Sequence, residues 1–234
     1  MKRLRNQKSI QPGESSRMID VDHTPIRCGI VLAAGDGKRL RSFVHQLRGD
    51  SLPKQFVNFI GTRSMLEHTF HRAERLLSPE HLFTVVSRNH VGHPEVARQL
   101  SKRANGTIVV QPENKETGPG ILLPLMHLYK RYPDSTVVIF PSDHCIVEED
   151  LFMSQVEMAC HVVEREPSCL VLLGMEPNEP DPEYGYILPG REVDNLAHFR
   201  VRKVLRFVEK PETRSARELM MGDGCGTPWS SFSK

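Results

Sequence analysis

The sequence predicts an α/β fold of the Rossmann-like class, in which helices cover both faces of a mainly parallel sheet. Short apolar runs alternate with longer segments of helical periodicity from residue 28 onward. Four such strand-then-helix units in succession are typical of a parallel sheet buried on both sides. The chain of 234 residues is also long enough to bury one sizeable core.

The individual elements follow from periodicity, because continuous apolar runs mark buried strands and apolar residues three or four apart mark helices. In chain order they are strand 28–34, helix 64–77, strand 82–87, helix 93–104, strand 107–112, helix 120–132, strand 136–144, helix 150–167 and strand 169–175. The pattern then changes, and residues 185–211 predict a smaller part made of shorter, partly antiparallel strands. The last ten residues complete no element.

Composition narrows the class of protein. With 31 basic and 29 acidic residues, the net charge of +2 is too balanced for a nucleic-acid or membrane-surface protein. The five cysteines are odd in number and scattered, which favours a reduced, cytoplasmic protein. Residues 1–26 carry basic residues with no apolar run behind them, so they predict a polar, disordered tail rather than a signal peptide or membrane anchor. Residues 27–234 are the predicted globular domain, and a homo-oligomer is left open.

The loop after the first strand, 34–39, combines two glycines with basic residues. Gly35 and Gly37 let backbone N–H groups approach an anion, and Arg39 adds a planar fork of donors to a phosphate. The loop lacks both the third glycine of a dinucleotide fingerprint and the G-K-[ST] of a Walker loop. Lys54, in "SLPKQF", supplies a second cation. The alternatives are a plain turn and a lone surface lysine.

Two further strands end in residues suited to a nucleotide and a metal. In "QPENKETGPGI", the amide of Gln111 can donate to and accept from a base edge, and Gly118 lets backbone lie against the ring. The alternative there is a capped helix start at Thr117. In "FPSDH", Asp143 offers a hard oxygen ligand suited to Mg²⁺, and helix capping is again the alternative. His90 has no metal-site spacing and is expected at the surface.

The antiparallel part carries two more motifs. "EYGYI" offers Gly185, whose backbone can approach sugar hydroxyls. "FVEKP" offers Glu209 to accept hydrogen bonds from those hydroxyls and Lys210 to meet a phosphate. A solvated charge pair at a strand end is the alternative for Glu209 and Lys210.

These five motifs, in this order across residues 31–211, resemble the sugar-phosphate nucleotidyltransferases, and within them the mannose-1-phosphate guanylyltransferases. The resemblance implies the nucleotide-diphospho-sugar transferase type of the Rossmann-like fold. It also implies transfer of a nucleotidyl group from GTP to a hexose 1-phosphate, mannose 1-phosphate above all, with Mg²⁺ as cofactor and pyrophosphate as the second product.

The resemblance further implies a role for each matched residue. Phosphate-handling, catalytic roles fall on Arg39, Lys54 and Lys210. Nucleotide binding falls on Ala33, Ala34, Gly35, Gly37, Gln111 and Gly118. Sugar binding falls on Gly185 and Glu209, and metal binding on Asp143.

Several positions depart from the family pattern. Lys38 replaces a threonine or serine, and Ser42 replaces a proline. "GCGTPWSSFSK" resembles the start of the family's W-N-S block with Ser230 in the asparagine's place, and the family's second metal-binding aspartate normally lies beyond it. The domain is therefore expected to be incomplete at its C-terminal end, with little turnover and with apolar surface exposed around Phe207 and Trp229. A non-catalytic nucleotide- or sugar-nucleotide-binding regulatory homologue is the alternative.

Overall fold

A four-stranded parallel sheet forms the centre of the computed structural model, which describes residues 25–221 and 227–229. The strands are β1 (Arg27–Ala33), β2 (Leu82–Ser87), β3 (Ile108–Gln111) and β4 (Thr136–Pro141), in the spatial order β3-β2-β1-β4. The predicted α/β class is confirmed. The predicted disordered tail lies outside the described residues up to position 24.

Helices cover both faces of this sheet. The helices of the described residues are α1 (Arg41–Arg48), α2 (Met65–Ala73), α3 (Arg88–Val91), α4 (Pro94–Leu100), α5 (Thr117–Arg131), α6 (Glu149–Arg165) and α7 (Thr213–Met221), with 3-10 turns at Lys38–Leu40, Lys54–Phe56, Pro79–His81 and Asp194–Phe199. Helix α7 packs against the second sheet, described below. Alternate residues of β1 point to opposite faces, as the pleat requires. Val31 and Ala33 pack in the core with α2, α4 and α6, whereas Cys28 and Ile30 pack with Leu128 of α5.

The predicted strand over 169–175 is wrong. The described residues contain no strand there, and Leu170 is 81% exposed. An apolar run indicates that a segment could be buried, but a strand also needs a neighbour to complete its hydrogen-bond ladder. No strand among the described residues pairs with this segment, which instead leads into the loop that borders the cleft described below.

A second, antiparallel sheet confirms the predicted smaller part. It contains β5 (Gly185–Glu192), β6 (Arg202–Glu209) and β7 (Thr227–Trp229) in the order β6-β5-β7. Most side chains of β6 are exposed, and Phe207 is among them as expected. The side chain of Trp229 and all of Ser230 lie outside the described residues. In the part of the chain that is described, no helix has the length and apolarity to span a bilayer.

Candidate active site

A cleft of about 1010 Å³ lies at the carboxyl end of the parallel sheet. It is bordered by the loops that follow β1, β3 and β4 and by the segment between residues 175 and 184. Ligands of open parallel sheets bind at this edge, where successive loops diverge. The volume lies at the upper end of the range usual for small-molecule sites, about 300–1,000 Å³.

The loop after β1, residues 34–39, is held tightly against the Lys54 segment. Gly37 has φ 59°, and a Cβ atom there would lie 3.0 Å from the backbone nitrogen of Lys54, so both backbone conformation and space require glycine. The buried amide of Gln55 donates to the carbonyl oxygens of Ala33 (3.0 Å) and Gly35 (2.7 Å). No motif assigned a separate role to Gln55, although it adjoins the predicted lysine.

Lys54 and Asp143 contact each other in the cleft. The Lys54 Nζ lies 2.7 Å from Asp143 Oδ2. The neighbouring Ser142 is buried, and its hydroxyl donates to the carbonyl oxygen of Leu32 at 2.5 Å, which fixes the end of β4 to β1. Helix α6 has Glu148 at its N-cap. Asp143 is therefore not a helix cap, and Lys54 is not an isolated surface lysine.

Arg39 forms an ion pair with Glu183 of the "EYGYI" loop. Their side chains are 64% and 53% exposed, so water screens the pair and its contribution to stability is small. Two of the cations expected to bind phosphate thus face carboxylates. An incoming anion can exchange with those carboxylates.

Gln111 is the least satisfied polar side chain of the cleft. It is 3% exposed, and neither its Nε2 nor its Oε1 has a hydrogen-bond partner among the described residues. A buried amide without partners costs free energy, so such a group needs an explanation, and the polar atoms of a ligand in the cleft could supply its hydrogen bonds. Helix α5 begins nearby at Thr117 without a side-chain cap bond, so capping does not account for this segment.

Backbone strain is found at two positions beside the cleft. Glu116, which lines it, has φ 66° and ψ −166°, and Lys210 has φ 43°. Non-glycine residues in such conformations are uncommon and concentrate at functional sites. The backbone N–H of Lys210 donates to the carbonyl oxygen of Tyr184 at 3.1 Å, and Tyr184 lines the cleft.

The structure brings together part of the predicted site. The predicted residues that line the cleft are Ala34, Gly35, Gly37, Arg39, Lys54, Gln111 and Asp143. The predicted residues outside its lining are Ala33, Gly118, Gly185, Glu209 and Lys210. Gly185 and Glu209 are paired in the β5–β6 ladder, and a Cβ on Gly185 would lie 2.9 Å from Glu209 Oε2.

The expectation that His90 lies at the surface is wrong. Its side chain is 8% exposed, its ring contacts Phe56 edge-on, and its Nε2 lies 3.5 Å from Asp36 Oδ1. Burial lowers the pKa of His90 below its usual value, while Asp36 opposes that shift. His90 follows directly after β2, at the same sheet edge as the other site loops, and this position could have predicted its place near the cleft. The expectation of a surface position rested only on its spacing from other histidines, which does not suit a metal site.

Carboxylates outnumber basic side chains in the cleft. The acidic lining residues are Asp36, Glu116, Asp143, Glu176, Glu179, Asp181 and Glu183, and the lysine and arginine residues are Lys38, Arg39 and Lys54. A polyphosphate entering this field meets net repulsion unless cations enter with it.

Comparison with known proteins places this arrangement in a family. Residues 28–223 match the nucleotidyl transferase family. The chain belongs to the nucleotidyl transferase family. The match spans the loop over residues 34–39, the Gln111 segment, Asp143 and the β5–β6 pair.

Individual relatives agree with this assignment. The mannose-1-phosphate guanylyltransferase of Klebsiella pneumoniae is 30% identical over 187 residues, which are 80% of this chain and 38% of that protein. One of the Escherichia coli proteins of the same name is 28% identical over 198 residues, 83% of this chain and 41% of that protein. The chain thus spans less than half the length of these curated relatives.

Among solved structures, a Thermus thermophilus protein described as a mannose-1-phosphate geranyltransferase is 25% identical, with a TM-score of 0.72. The match covers 87% of this chain and 55% of that one. A Helicobacter pylori protein described as a mannose-6-phosphate isomerase, 20% identical with a TM-score of 0.63 over 87% of this chain and 68% of its own, supports the fold alone.

Proposed function

We propose that this nucleotidyl transferase domain binds GTP and joins it to a hexose 1-phosphate, mannose 1-phosphate in the first instance, to give a GDP-sugar and pyrophosphate. The observation that carries the proposal is Gln111, a buried amide with both polar atoms unpaired among the described residues, in a cleft that also presents a glycine-rich anion loop. The names of the relatives support the choice of substrates.

The chemistry is an attack by a sugar-phosphate oxygen on the α-phosphorus of the triphosphate, with pyrophosphate as leaving group. The nucleophile is already an anion, so the protein needs no covalent intermediate. Catalysis consists of bringing two anions together and stabilising charge on the transferring phosphorus. In this proposal Arg39 and Lys54, which line the cleft, hold the triphosphate. Lys210, whose backbone N–H donates to the cleft residue Tyr184, receives the sugar phosphate.

Base recognition falls on the amide of Gln111. A side-chain amide can donate to one atom of a base edge and accept from its neighbour. Guanine presents adjacent acceptor and donor atoms on its Watson–Crick edge, and these would satisfy both unpaired atoms of Gln111 together. Adenine and uracil present such pairs too, so the choice of guanine rests on the names of the relatives.

Mg²⁺ belongs to the same proposal, and the donor set fits it. Asp143 provides one carboxylate, and the surplus of carboxylates in the cleft favours a nucleotide that arrives with a cation. No group of three or more His, Cys, Asp or Glu side chains among the described residues could hold a metal ion. Substrate phosphates and water would then supply the remaining ligands. When bound, the ion would neutralise charge on the phosphates.

The test has two stages. Calorimetric titration with GTP, ATP and UTP, each with and without Mg²⁺, should show Mg²⁺-dependent binding that is tightest for GTP. Pyrophosphate release from GTP with mannose 1-phosphate then separates an enzyme from a regulatory homologue that binds without turnover. Equal affinity for the three nucleotides contradicts recognition of guanine through Gln111.

A further inference from the structure

Asp36 joins two loops that have separate tasks in the proposed function. It lies in the middle of the loop over residues 34–39, which is the phosphate loop of the proposed function, and its side chain is 27% exposed. Asn114 lies three positions after Gln111, in the segment between β3 and α5 (residues 112–116), which is the base loop of the proposed function. The Asn114 Nδ2 donates to Asp36 Oδ2 at 3.2 Å. This contact connects the carboxyl ends of β1 and β3 across 78 residues of sequence.

The orientation of the Asn114 amide is set from both ends. Its Oδ1 accepts a hydrogen bond from the backbone N–H of Glu116 at 3.1 Å, while its Nδ2 donates to the Asp36 carboxylate. One partner can only donate and the other, when ionised, can only accept, so the reverse amide orientation would lose both bonds. Asn114 thereby also helps to hold the strained backbone of Glu116.

Asp36 has a second contact, on the other side, with His90 of α3. The buried ring of His90 contacts the ring of Phe56 edge-on, and its Nε2 lies 3.5 Å from Asp36 Oδ1. The phosphate loop is thus bordered by α3, by the base loop and by Gln55, and Asp36 takes part in two of these contacts. A carboxylate at this position opposes an incoming triphosphate by its charge. Its two contacts point to a role in holding the loop in place.

Resting on the proposed function, we infer that Asp36 and Asn114 are positioning residues that couple base binding to phosphate binding. The pair fixes the distance between the base-reading amide and the phosphate donors. A ligand that contains both base and triphosphate then binds more tightly than its separate parts would lead one to expect. Binding of the base already orders the loop that binds the phosphates, so the free energy of ordering is spent only once.

The experiment compares a whole ligand with its fragments. Affinities for GTP, guanosine and tripolyphosphate, all with Mg²⁺, are measured by calorimetry for the wild type and for the Asp36→Ala, Asn114→Ala and double variants. We expect the advantage of GTP over its fragments to fall by about three- to tenfold in each single variant, with guanosine affinity unchanged in both and tripolyphosphate affinity unchanged in Asn114→Ala. Asp36→Ala also removes a charge, so tripolyphosphate alone should bind to it about two- to fivefold more tightly. The double variant should be no weaker than either single one, since both remove the same connection.

Two further variants separate the effect of charge from that of the connection. Asp36→Asn keeps an oxygen acceptor for Asn114 but removes the charge, so the advantage of GTP should persist while tripolyphosphate binds about two- to fivefold more tightly. Asn105→Ala changes an exposed asparagine away from the cleft and should leave all three affinities unchanged.

The outcomes separate the two levels of the proposal. Absence of GTP binding in the wild type refutes the proposed function itself. If the wild type binds GTP but Asp36→Ala and Asn114→Ala leave the advantage of GTP over its fragments unchanged, the coupling is refuted and the function stands. If those variants weaken the fragments as much as the whole nucleotide, the contact only stabilises the loops, and the positioning role is again overturned.

Discussion

Replacement of Lys54 by methionine should change metal and nucleotide binding in opposite directions. The Lys54 ammonium lies 2.7 Å from Asp143 Oδ2, so it occupies the position that a divalent cation would take beside that carboxylate. Lys54→Met preserves most of the apolar stem and removes the ammonium. Asp143 is then free to bind a cation, while the triphosphate loses a donor.

The magnitudes follow from the contacts and their exposure. The side chains of Lys54 and Asp143 are 26% and 22% exposed, so the pair is only partly screened by water. A hydrogen bond to a charged group contributes ~1.5–3 kcal/mol, and its loss should weaken GTP binding by about 10- to 150-fold. Removal of the competing ammonium should strengthen binding of Mn²⁺ without nucleotide by about two- to tenfold, equivalent to ~0.4–1.4 kcal/mol.

The assay measures Mn²⁺ binding by electron paramagnetic resonance and GTP binding by calorimetry on the same preparations. Lys102→Met is the matched control, because it makes the same substitution at an exposed lysine outside the cleft. Weaker binding of both ligands in Lys54→Met would refute the reasoning, since it would mean that Lys54 supports the site structurally and does not compete with the metal.

Four other results are expected. Arg39→Ala should weaken GTP binding by ~1.5–3 kcal/mol. Glu183→Gln should strengthen GTP binding by at most ~1 kcal/mol, because it releases Arg39 from an exposed ion pair. Calorimetric titration of both variants with GTP checks these values. Asp143→Asn should reduce the Mg²⁺ dependence of GTP binding, and a full Mg²⁺ effect in that variant would show that phosphates alone hold the ion. Because burial lowers the pKa of His90, the unfolded chain binds its proton more readily, and stability should fall as the pH drops through about 6.5. Urea midpoints between about pH 7.5 and 5.5 should fall less in His90→Gln than in the wild type.

The sequence was sufficient for the elements whose signal is local. Strand β2 was predicted at its observed bounds, and Pro94 opens helix α4 as expected. The apolar run over 169–175 led to a wrong strand prediction. Hydrophobicity indicates that a segment can be buried, but it does not indicate whether another strand lies beside that segment. Helix α5 was predicted to begin at residue 120 and begins at Thr117, since its first turn is rich in glycine and proline.

The candidate site could be predicted only as far as motifs go. Gln111, Asp143 and the glycine loop stand at strand ends, and a sheet edge collects such residues whatever their distance in sequence. A contact between two loops, however, cannot be predicted from the motif in either loop alone. The link from Asp36 to Asn114 and the burial of His90 both arise from tertiary packing, which no local pattern reports.

The central place of β1 has a consequence for biosynthesis. As the first described strand, it pairs with β2 on one edge and with β4 on the other, and β4 is more than a hundred residues away. Parallel pairing between such distant segments closes a long loop before it gains contacts, so it forms slowly. Until residue 141 has left the ribosome, the inner strand has one open edge and Asp143 cannot take its place at the edge of the sheet. The cleft is therefore completed only after β4 has been made, and a nascent chain paused after β3 displays an unpaired apolar strand edge that chaperones would have to shield.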